Sequence, residues 1–220
     1  MYAREIVSEG LHSLDLSDSG ERAIVRMHEY NVNQLPVTDG DKYIGIINMD
    51  EIVALRHLND PLRDLQVQLK RPYVHEDAHF FEVMKAAIEY GVKVVPVLSA
   101  DEKYIGLITA ESCMRVFATQ QSVMVEGGII ELSIPVKDFQ LSEIARIVES
   151  NNATILTYYS HIDQANSTVE VTIKLNTSEL SAIIAAFERY QYEVKGVYND
   201  ENYNEDVKDN YDALMKYLDV

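Results

Sequence analysis

Apolar residues recur at helical spacing in two stretches of the first half of the chain. Positions three and four residues apart lie on one face of an α-helix, so each stretch predicts an amphipathic helix with a buried stripe. The first stripe consists of Ala23, Ile24, Met27 and Tyr30, and the second of Val83, Met84, Ala87, Ile88 and Tyr90.

Each predicted helix is followed by two short apolar segments with a polar turn between them, which is typical of two paired strands. The predicted strands cover 34–37 and 43–47, then 94–97 and 104–108. Pro36 and Pro96 lie in the first strand of each pair. Because proline removes a ladder donor, we expect it at a sheet edge or at the start of its strand.

These two stretches are copies of one another. Glu29-Tyr30 and Pro36-Val37 recur 60 residues later, and KYIGII at 42–47 recurs as KYIGLI at 103–108 after one inserted residue. One helix–strand–turn–strand–helix unit cannot cover both faces of its own small sheet. We therefore expect the two copies to pack together as one module.

The second half of the chain follows a different pattern. Residues 130–136 and 168–175 alternate apolar with polar positions, as half-buried strands do, and 154–159 and 192–198 are shorter strand candidates. Two helical stripes separate them, the second in a helix that we expect Ser178 to open. The stripes are Leu141, Ile144, Ala145, Ile147 and Val148, then Leu180, Ile183, Ile184 and Phe187. The order βαββαβ predicts a ferredoxin-like domain over 127–198.

After that domain, the segment 199–220 is acidic and rich in tyrosine. Tyr211, Leu214, Met215 and Leu218 have helical spacing within it. We expect a helix that packs on its own domain.

Charge and composition narrow the possible partners. The 220 residues include 19 basic and 36 acidic side chains, a net charge of −17. Such a field repels phosphate backbones and anionic lipids, so neither nucleic acid nor a membrane is an expected partner. The single cysteine, Cys113, excludes an internal disulfide and a cysteine metal cage. With no signal-peptide pattern at the start and no apolar run of about 20 residues, we expect a cytoplasmic protein.

The repeated unit resembles the CBS family, whose tandem pair forms a compact module with pseudo-twofold symmetry. The resemblance covers a first repeat at 1–58 and a second at 59–122. It implies an α/β (α+β) fold and two clefts between the repeats that bind adenosine compounds. The implied ligands are AMP, ADP, ATP and S-adenosylmethionine.

The most informative signature of CBS clefts is Gly, two apolar residues, Ser or Thr, two variable residues and Asp. The hydroxyl reaches phosphate at a helix start, and the carboxylate accepts bonds from ribose. The first copy has Asn48 and Glu51 at these positions, and the second has Thr109 and Ser112. Neither copy is complete, and the alternative is that Asn48 and Thr109 only cap the following helices.

By position in the repeat, the resemblance implies further cleft-wall residues. They are Asn33, Gln34 and Leu35 in the first copy and Lys93, Val94 and Val95 in the second. Lys93 is suited to neutralising a phosphate, although a solvated surface lysine is the simpler alternative.

Following a CBS pair, the βαββαβ domain resembles the ACT family, and the whole arrangement is similar to small bacterial CBS–ACT proteins of the acetoin-utilisation type. ACT domains commonly bind amino acids near the loop after the first strand, through a Gly. Here that loop, 137–141, has no Gly and carries Phe139, which argues against amino-acid binding. The resemblance also implies a homodimer, because both modules usually self-associate.

We therefore expect a non-catalytic ligand sensor that acts on a partner protein, with a ligand-free dimerisation scaffold as the alternative. No phosphate loop or nucleophile elbow is present. His75 and His79 have the spacing of helical metal ligands, but Pro72 nearby favours a strand or turn, so we expect no metal site.

Overall fold

The computed structural model describes residues 1–53, 57–64 and 69–199, and the chain divides into two compact units, Met1–Phe117 and Ala118–Val220. The helix expected within 199–220 lies outside the described residues. In the described part of the chain, no helix is long and apolar enough to cross a membrane.

The first unit contains the predicted repeat as two similar three-stranded sheets with their helices. Both sheets have the same strand order, β1-β2-β3 and β4-β5-β6, with the first pair parallel and the second antiparallel. The first copy comprises β1 (Leu14–Asp15), α1 (Gly20–Glu29), β2 (Gln34–Asp39), β3 (Lys42–Asn48) and α2 (Met49–Val53). The second comprises β4 (Val74–His75), α3 (Phe80–Tyr90), β5 (Val94–Leu98), β6 (Tyr104–Thr109) and α4 (Ala110–Gln120). The predicted helix and strand pattern of both copies is confirmed.

The prolines correct one expectation, because Pro36 lies third in β2, the middle strand of its sheet. Its partner across the ladder, Ile46, donates its N–H away from β2 to the Lys70 carbonyl at 2.9 Å. The pair is therefore not a hydrogen-bonded one, so an N–H at position 36 would point towards β1. Because β1 pairs only with Val37 and Thr38, that N–H would have no ladder partner, and proline is tolerated there. Pro96 opposite Leu107 repeats this arrangement, with the Leu107 carbonyl accepting from Ser8 at 2.8 Å.

The two repeats exchange their leading segments. The segment 3–8 binds the second repeat, where Ala3 donates to the Ala78 carbonyl at 2.9 Å. The segment 61–64 binds the first repeat, where Leu62 donates to the Asp18 carbonyl at 2.8 Å. Each repeat is therefore completed by the segment that precedes the other repeat in the sequence. Because of this exchange, the two copies share one hydrophobic core.

The repeated glycines lie under these crossing segments. A Cβ on Gly45 would come within 2.6 Å of Leu69 Cβ, and one on Gly106 within 2.5 Å of Val7 Cγ1. Atoms do not approach so closely without displacement, so the repeat needs glycine where the neighbouring segment crosses the strand.

The second unit is a four-stranded antiparallel sheet with two helices packed on one face. The sheet order β10-β7-β9-β8 is ferredoxin-like, and the expected βαββαβ order is observed. Its elements are β7 (Ile129–Pro135), α5 (Leu141–Ser150), β8 (Ile155–Asp163), β9 (Thr168–Leu175), α6 (Ser181–Arg189) and β10 (Glu193–Tyr198). Apolar residues of the sheet and of both helices form a separate core.

One helix start differs from the expectation, because α6 begins at Ser181 and not at Ser178. Thr177 Oγ1 accepts from the Glu179 N–H at 3.1 Å, which holds this stretch in a local turn before the helix. Leu180 is buried against Gly128 and anchors the turn.

Candidate functional site

A cleft of about 760 Å³ opens in the first unit. We call it the Thr109 cleft. Four parts of the chain form it: the segment that leads into the first repeat, the end of α1 with its following loop, Lys93 before β5, and Thr109 with the first turns of α4. Its lining residues are Ser8, Glu9, Leu11, Met27, His28, Tyr30, Asn31, Val32, Asn33, Lys93, Thr109, Ala110, Glu111, Ser112 and Arg115.

Three hydroxyls form a connected group at one end of this cleft. Thr109 Oγ1 accepts from the Ser112 N–H at 3.1 Å and donates to Ser112 Oγ, also at 3.1 Å. Ser112 Oγ lies 2.9 Å from Ser8 Oγ. Thr109 is therefore a helix cap, as the simpler alternative held. Its cap bond uses one acceptor position, and a hydroxyl group has a second lone pair.

Lys93 contributes the cation that the sequence pointed to. Its carbonyl accepts from Ala110 N–H at 2.9 Å, and this bond fixes the lysine backbone beside the start of α4. Its own N–H donates to Gln34 Oε1 at 2.9 Å. The Lys93 side chain is exposed and lines the cleft, and within the described residues it has no ion pair.

Two carboxylates balance the cations of the cleft. Arg115 forms an ion pair with Glu111 at 2.9 Å, and both side chains are largely exposed. Glu9 adds a second carboxylate, and the His28 imidazole also lines the cleft. The side chains of the cleft therefore carry no large excess of positive charge at pH 7.

Six of the ten residues expected at a ligand cleft do not line the Thr109 cleft. Leu35, Val94 and Val95 have at most 1% of their surface exposed and belong to the hydrophobic core. The Gln34 side chain is already engaged, because its Oε1 accepts from the Lys93 N–H. Asn33, Lys93, Thr109 and Ser112 are the four that the structure brings together.

Asn48 and Glu51 form a local contact of their own in the first repeat. Glu51 Oε2 accepts from the Asn48 N–H at 2.8 Å, so the glutamate side chain caps this helix start and the Asn48 side chain does not. Asn48 Oδ1 is buried and has no hydrogen-bond partner in the described part of the chain. The alternative that Asn48 acts as a cap is wrong, because its Oδ1 accepts no N–H from the first turn of α2.

Sequence reasoning missed Ser8, which completes the hydroxyl group. Ser8 belongs to the exchanged N-terminal segment, and no pattern in that segment indicates which repeat it joins. Arg115 was also missed, although its position four residues after Glu111 on a predicted helix was a usable signal.

The second unit has a smaller cavity of about 320 Å³ beside the loop after β7. Lys137, Asp138 and Gln140 line it together with Tyr190 and Tyr192. Phe139 does not line it and packs against the core of the unit. Hydrogen bonds to Tyr190 and Glu143 raise the pKa of Arg146, which lies over the Tyr190 ring.

The histidines behave as the sequence indicated. His75 lies in β4, and His79 caps α3 by accepting from the Phe81 N–H at 3.2 Å. They do not share a helix face, and no cluster suited to a metal ion occurs among residues 1–53, 57–64 and 69–199.

Comparison with known proteins identifies a protein family that matches this chain. A profile for the CBS domain matches residues 3–57 and 62–119. Carnitine transport ATP-binding protein OpuCA of Listeria monocytogenes is 26% identical over 113 residues, which are 51% of this chain and 28% of that protein. The chain thus spans less than a third of the length of this curated relative.

Solved structures similar to this chain are also CBS pairs. One is a CBS domain pair/ACT domain protein from Thermotoga maritima, 16% identical, with a TM-score of 0.48 over 54% of this chain and 98% of that chain. Another is the CBS-pair protein CBSX2 from Arabidopsis thaliana, 20% identical, with a TM-score of 0.46 over 54% of this chain and 94% of that chain.

Proposed function

This chain belongs to the CBS domain family, and from that premise we propose that it is a non-catalytic regulatory protein that senses an adenosine compound in the Thr109 cleft. The candidate ligands are AMP, ADP, ATP and S-adenosylmethionine. The ferredoxin-like unit would serve as an ACT-type domain for dimerisation or for passing the signal on, as in acetoin-utilisation-type proteins.

The observation that carries this proposal is the composition of the Thr109 cleft. Its volume of about 760 Å³ lies within the range of small-molecule sites. Thr109, Ser112 and Ser8 offer hydroxyls at the start of α4, where helix N–H groups favour an anionic group. Lys93 lies beside them, and Met27, Val32 and Leu11 supply apolar wall for a flat base.

The charge of the cleft favours ligands of low net charge. Glu9 and the Glu111–Arg115 ion pair leave Lys93 as the main cation available to a phosphate. A triphosphate would meet these carboxylates and the −17 charge of the whole chain. We therefore expect AMP or S-adenosylmethionine to bind more tightly than ATP.

Thermal unfolding of the full chain against this ligand panel tests the proposal. A ligand at about 100 times its Kd stabilises the folded state by about 2.7 kcal/mol, which is a shift of several degrees at this size. Lys93→Met removes the cation while keeping most of the side chain, and we expect it to reduce the AMP shift by more than half.

Lys103→Met is the matched control, since Lys103 is a largely exposed lysine outside the cleft. It should leave the AMP shift unchanged. A shift that Lys93→Met and Lys103→Met reduce equally would contradict binding at the Thr109 cleft.

A ligand-free scaffold is the second candidate, and one observation favours it. The ribose position of the family signature is Ser112 in one copy, and in the other it is Glu51, whose carboxylate is already bonded to the Asn48 N–H. Absence of a shift with every adenosine compound, in a sample that unfolds cooperatively, would make the scaffold the better assignment.

A further inference from the structure

A second cavity of about 620 Å³ lies in the same unit. We call it the α3 cavity. It is bounded by Tyr73, His75 and Asp77 around β4 and by Glu82, Lys85 and Ala86 on α3.

The first repeat shows what occupies the corresponding space there. The counterpart of Ala86, 60 residues earlier, is Arg26. Its Nη1 donates to the Ser13 carbonyl at 2.8 Å and lies 3.4 Å from Asp18 Oδ2. Arg22 Nε is 3.2 Å from the other oxygen of Asp18. A guanidinium group, held by a carbonyl and a carboxylate, thus fills this position in the first repeat.

The second repeat lacks these side chains. Ala86 replaces Arg26, Ala78 replaces Asp18 and Glu82 replaces Arg22. The Ser13 carbonyl has its counterpart in Tyr73, which lines the cavity. Two alanines therefore leave open a space that an arginine side chain and its carboxylate partner occupy in the other copy.

The charges around the α3 cavity favour a cation. Lys85 pairs with Glu89 at 3.6 Å, His75 lies 3.7 Å from Glu102, and Arg71 donates to the Tyr43 carbonyl at 3.2 Å. Among the residues that the structure describes, Asp77 and Glu82 have no ion-pair partner. The basic groups are thus engaged, whereas two carboxylates are not.

We propose that the α3 cavity binds a guanidinium group supplied from outside the chain, in the position that the Arg26 side chain fills in the first repeat. The planar group carries several N–H donors, which suits a site of carboxylates and a carbonyl. A phosphate would face unpaired carboxylates, and no set of three metal-ligating side chains occurs in the described chain.

Titration calorimetry of the full chain at low salt tests this site. Agmatine serves as a free guanidinium compound, the blocked tripeptide acetyl-Gly-Arg-Gly-amide as an arginine side chain of another protein, and cadaverine as a cation without guanidinium. We expect a Kd of about 1 mM or tighter for agmatine or the peptide, and at least about fivefold weaker binding of cadaverine.

The double substitution Ala78→Asp with Ala86→Arg rebuilds the arrangement of the first repeat and should weaken probe binding at least about tenfold. Ile88→Arg is the control, because Ile88 is 77% exposed on the same helix and does not line the cavity. If the double variant does not fold, Glu82→Gln should still weaken binding severalfold.

Preference for agmatine or for the peptide identifies the source of the group. Absence of binding by both, or equal binding by the wild type and a folded double variant, would overturn the proposal. AMP binding in the Thr109 cleft is a separate measurement, so each proposal can fail without the other.

Discussion

Glycine at two repeated positions shows how much one side chain can matter in this fold. Gly45 lies under the main chain of the crossing segment, where an added Cβ would be 2.7 Å from the Lys70 carbonyl oxygen as well as close to Leu69. Gly106 lies under a side chain only, the end of Val7. The sequence repeat identified both glycines. It did not show that main-chain atoms pack against Gly45, whereas only a side chain packs against Gly106.

We therefore predict that Gly45→Ala costs about 2–3 kcal/mol of unfolding free energy and Gly106→Ala about 1 kcal/mol or less. The carbonyl cannot move without breaking its bond from Ile46, whereas Val7 can change rotamer. Urea unfolding measures both values.

Double variants, in which the neighbouring side chain is also truncated, provide the control. Val7→Ala should relieve Gly106→Ala because it removes Cγ1, whereas Leu69→Ala should not relieve Gly45→Ala, because the Leu69 Cβ and the Lys70 carbonyl both remain. Full relief in both pairs would contradict this difference.

At the scale of elements, periodicity predicted most of what is observed. Alternation predicted β7 and β9, and helical stripes predicted α1, α3 and α5, because each buries one face against a core. The positions of Pro36 and Pro96 within their sheets were not predicted. Whether a proline breaks a ladder hydrogen bond depends on neighbouring strands, and these come from distant parts of the sequence. The cleft was predicted in part: Thr109 and Lys93 follow from a local motif, but Ser8 joins through an exchange of chain segments.

A cross-strand contact in the ferredoxin-like sheet gives a prediction about pH. Ser133 on β7 is paired with Glu170 on β9, and its hydroxyl donates to Glu170 Oε1 at 2.6 Å. This bond, followed by one from Thr168, holds the pKa of Glu170 below its ordinary value of 4.5. The carboxylate thus stabilises the fold above pH 4.5, and the contribution is lost as pH falls through the lowered pKa.

We expect Ser133→Ala to raise the pKa of Glu170 towards 4.5, as followed by NMR titration of its side-chain carboxyl carbon. Stability should then decline at a higher pH on acidification. Thr172→Ala on the same strand leaves both hydrogen bonds in place and serves as the control. An unchanged pKa in Ser133→Ala would contradict the assigned cause.

For the whole molecule, the sheet edges give a prediction about assembly. Strand β8 is an edge of its sheet, with Tyr159 and Ile162 54% and 63% exposed, and its central residues carry no lysine. The opposite edge, β10, is shorter, and its register shift lies in mid-strand near Gly196, whereas the shift in β8 lies at the start of the strand, between Ile155 and Thr157. An unprotected edge strand is suited to pairing with another copy.

We therefore predict a dimer near 50 kDa, twice the chain mass of 25.0 kDa, in sedimentation equilibrium. Ile162→Lys should shift the equilibrium towards the monomer, because a charge on the edge opposes pairing. Tyr198→Lys, at a position on β10 that is 55% exposed, is the matched substitution on the other edge and should have a smaller effect. A wild-type mass of 25 kDa would contradict the dimer.

The exchange of leading segments has a consequence for synthesis on the ribosome. Residues 3–8 are translated before both repeats, yet their partners lie in the second repeat, Ala78 near its start and Leu107 near its end. The first repeat in turn waits for residues 62 and 70. In a nascent chain that pauses between the repeats, the first sheet would lack its crossing segment and residues 3–8 would lack their partners. The rate of translation across this region would therefore affect the yield of folded protein.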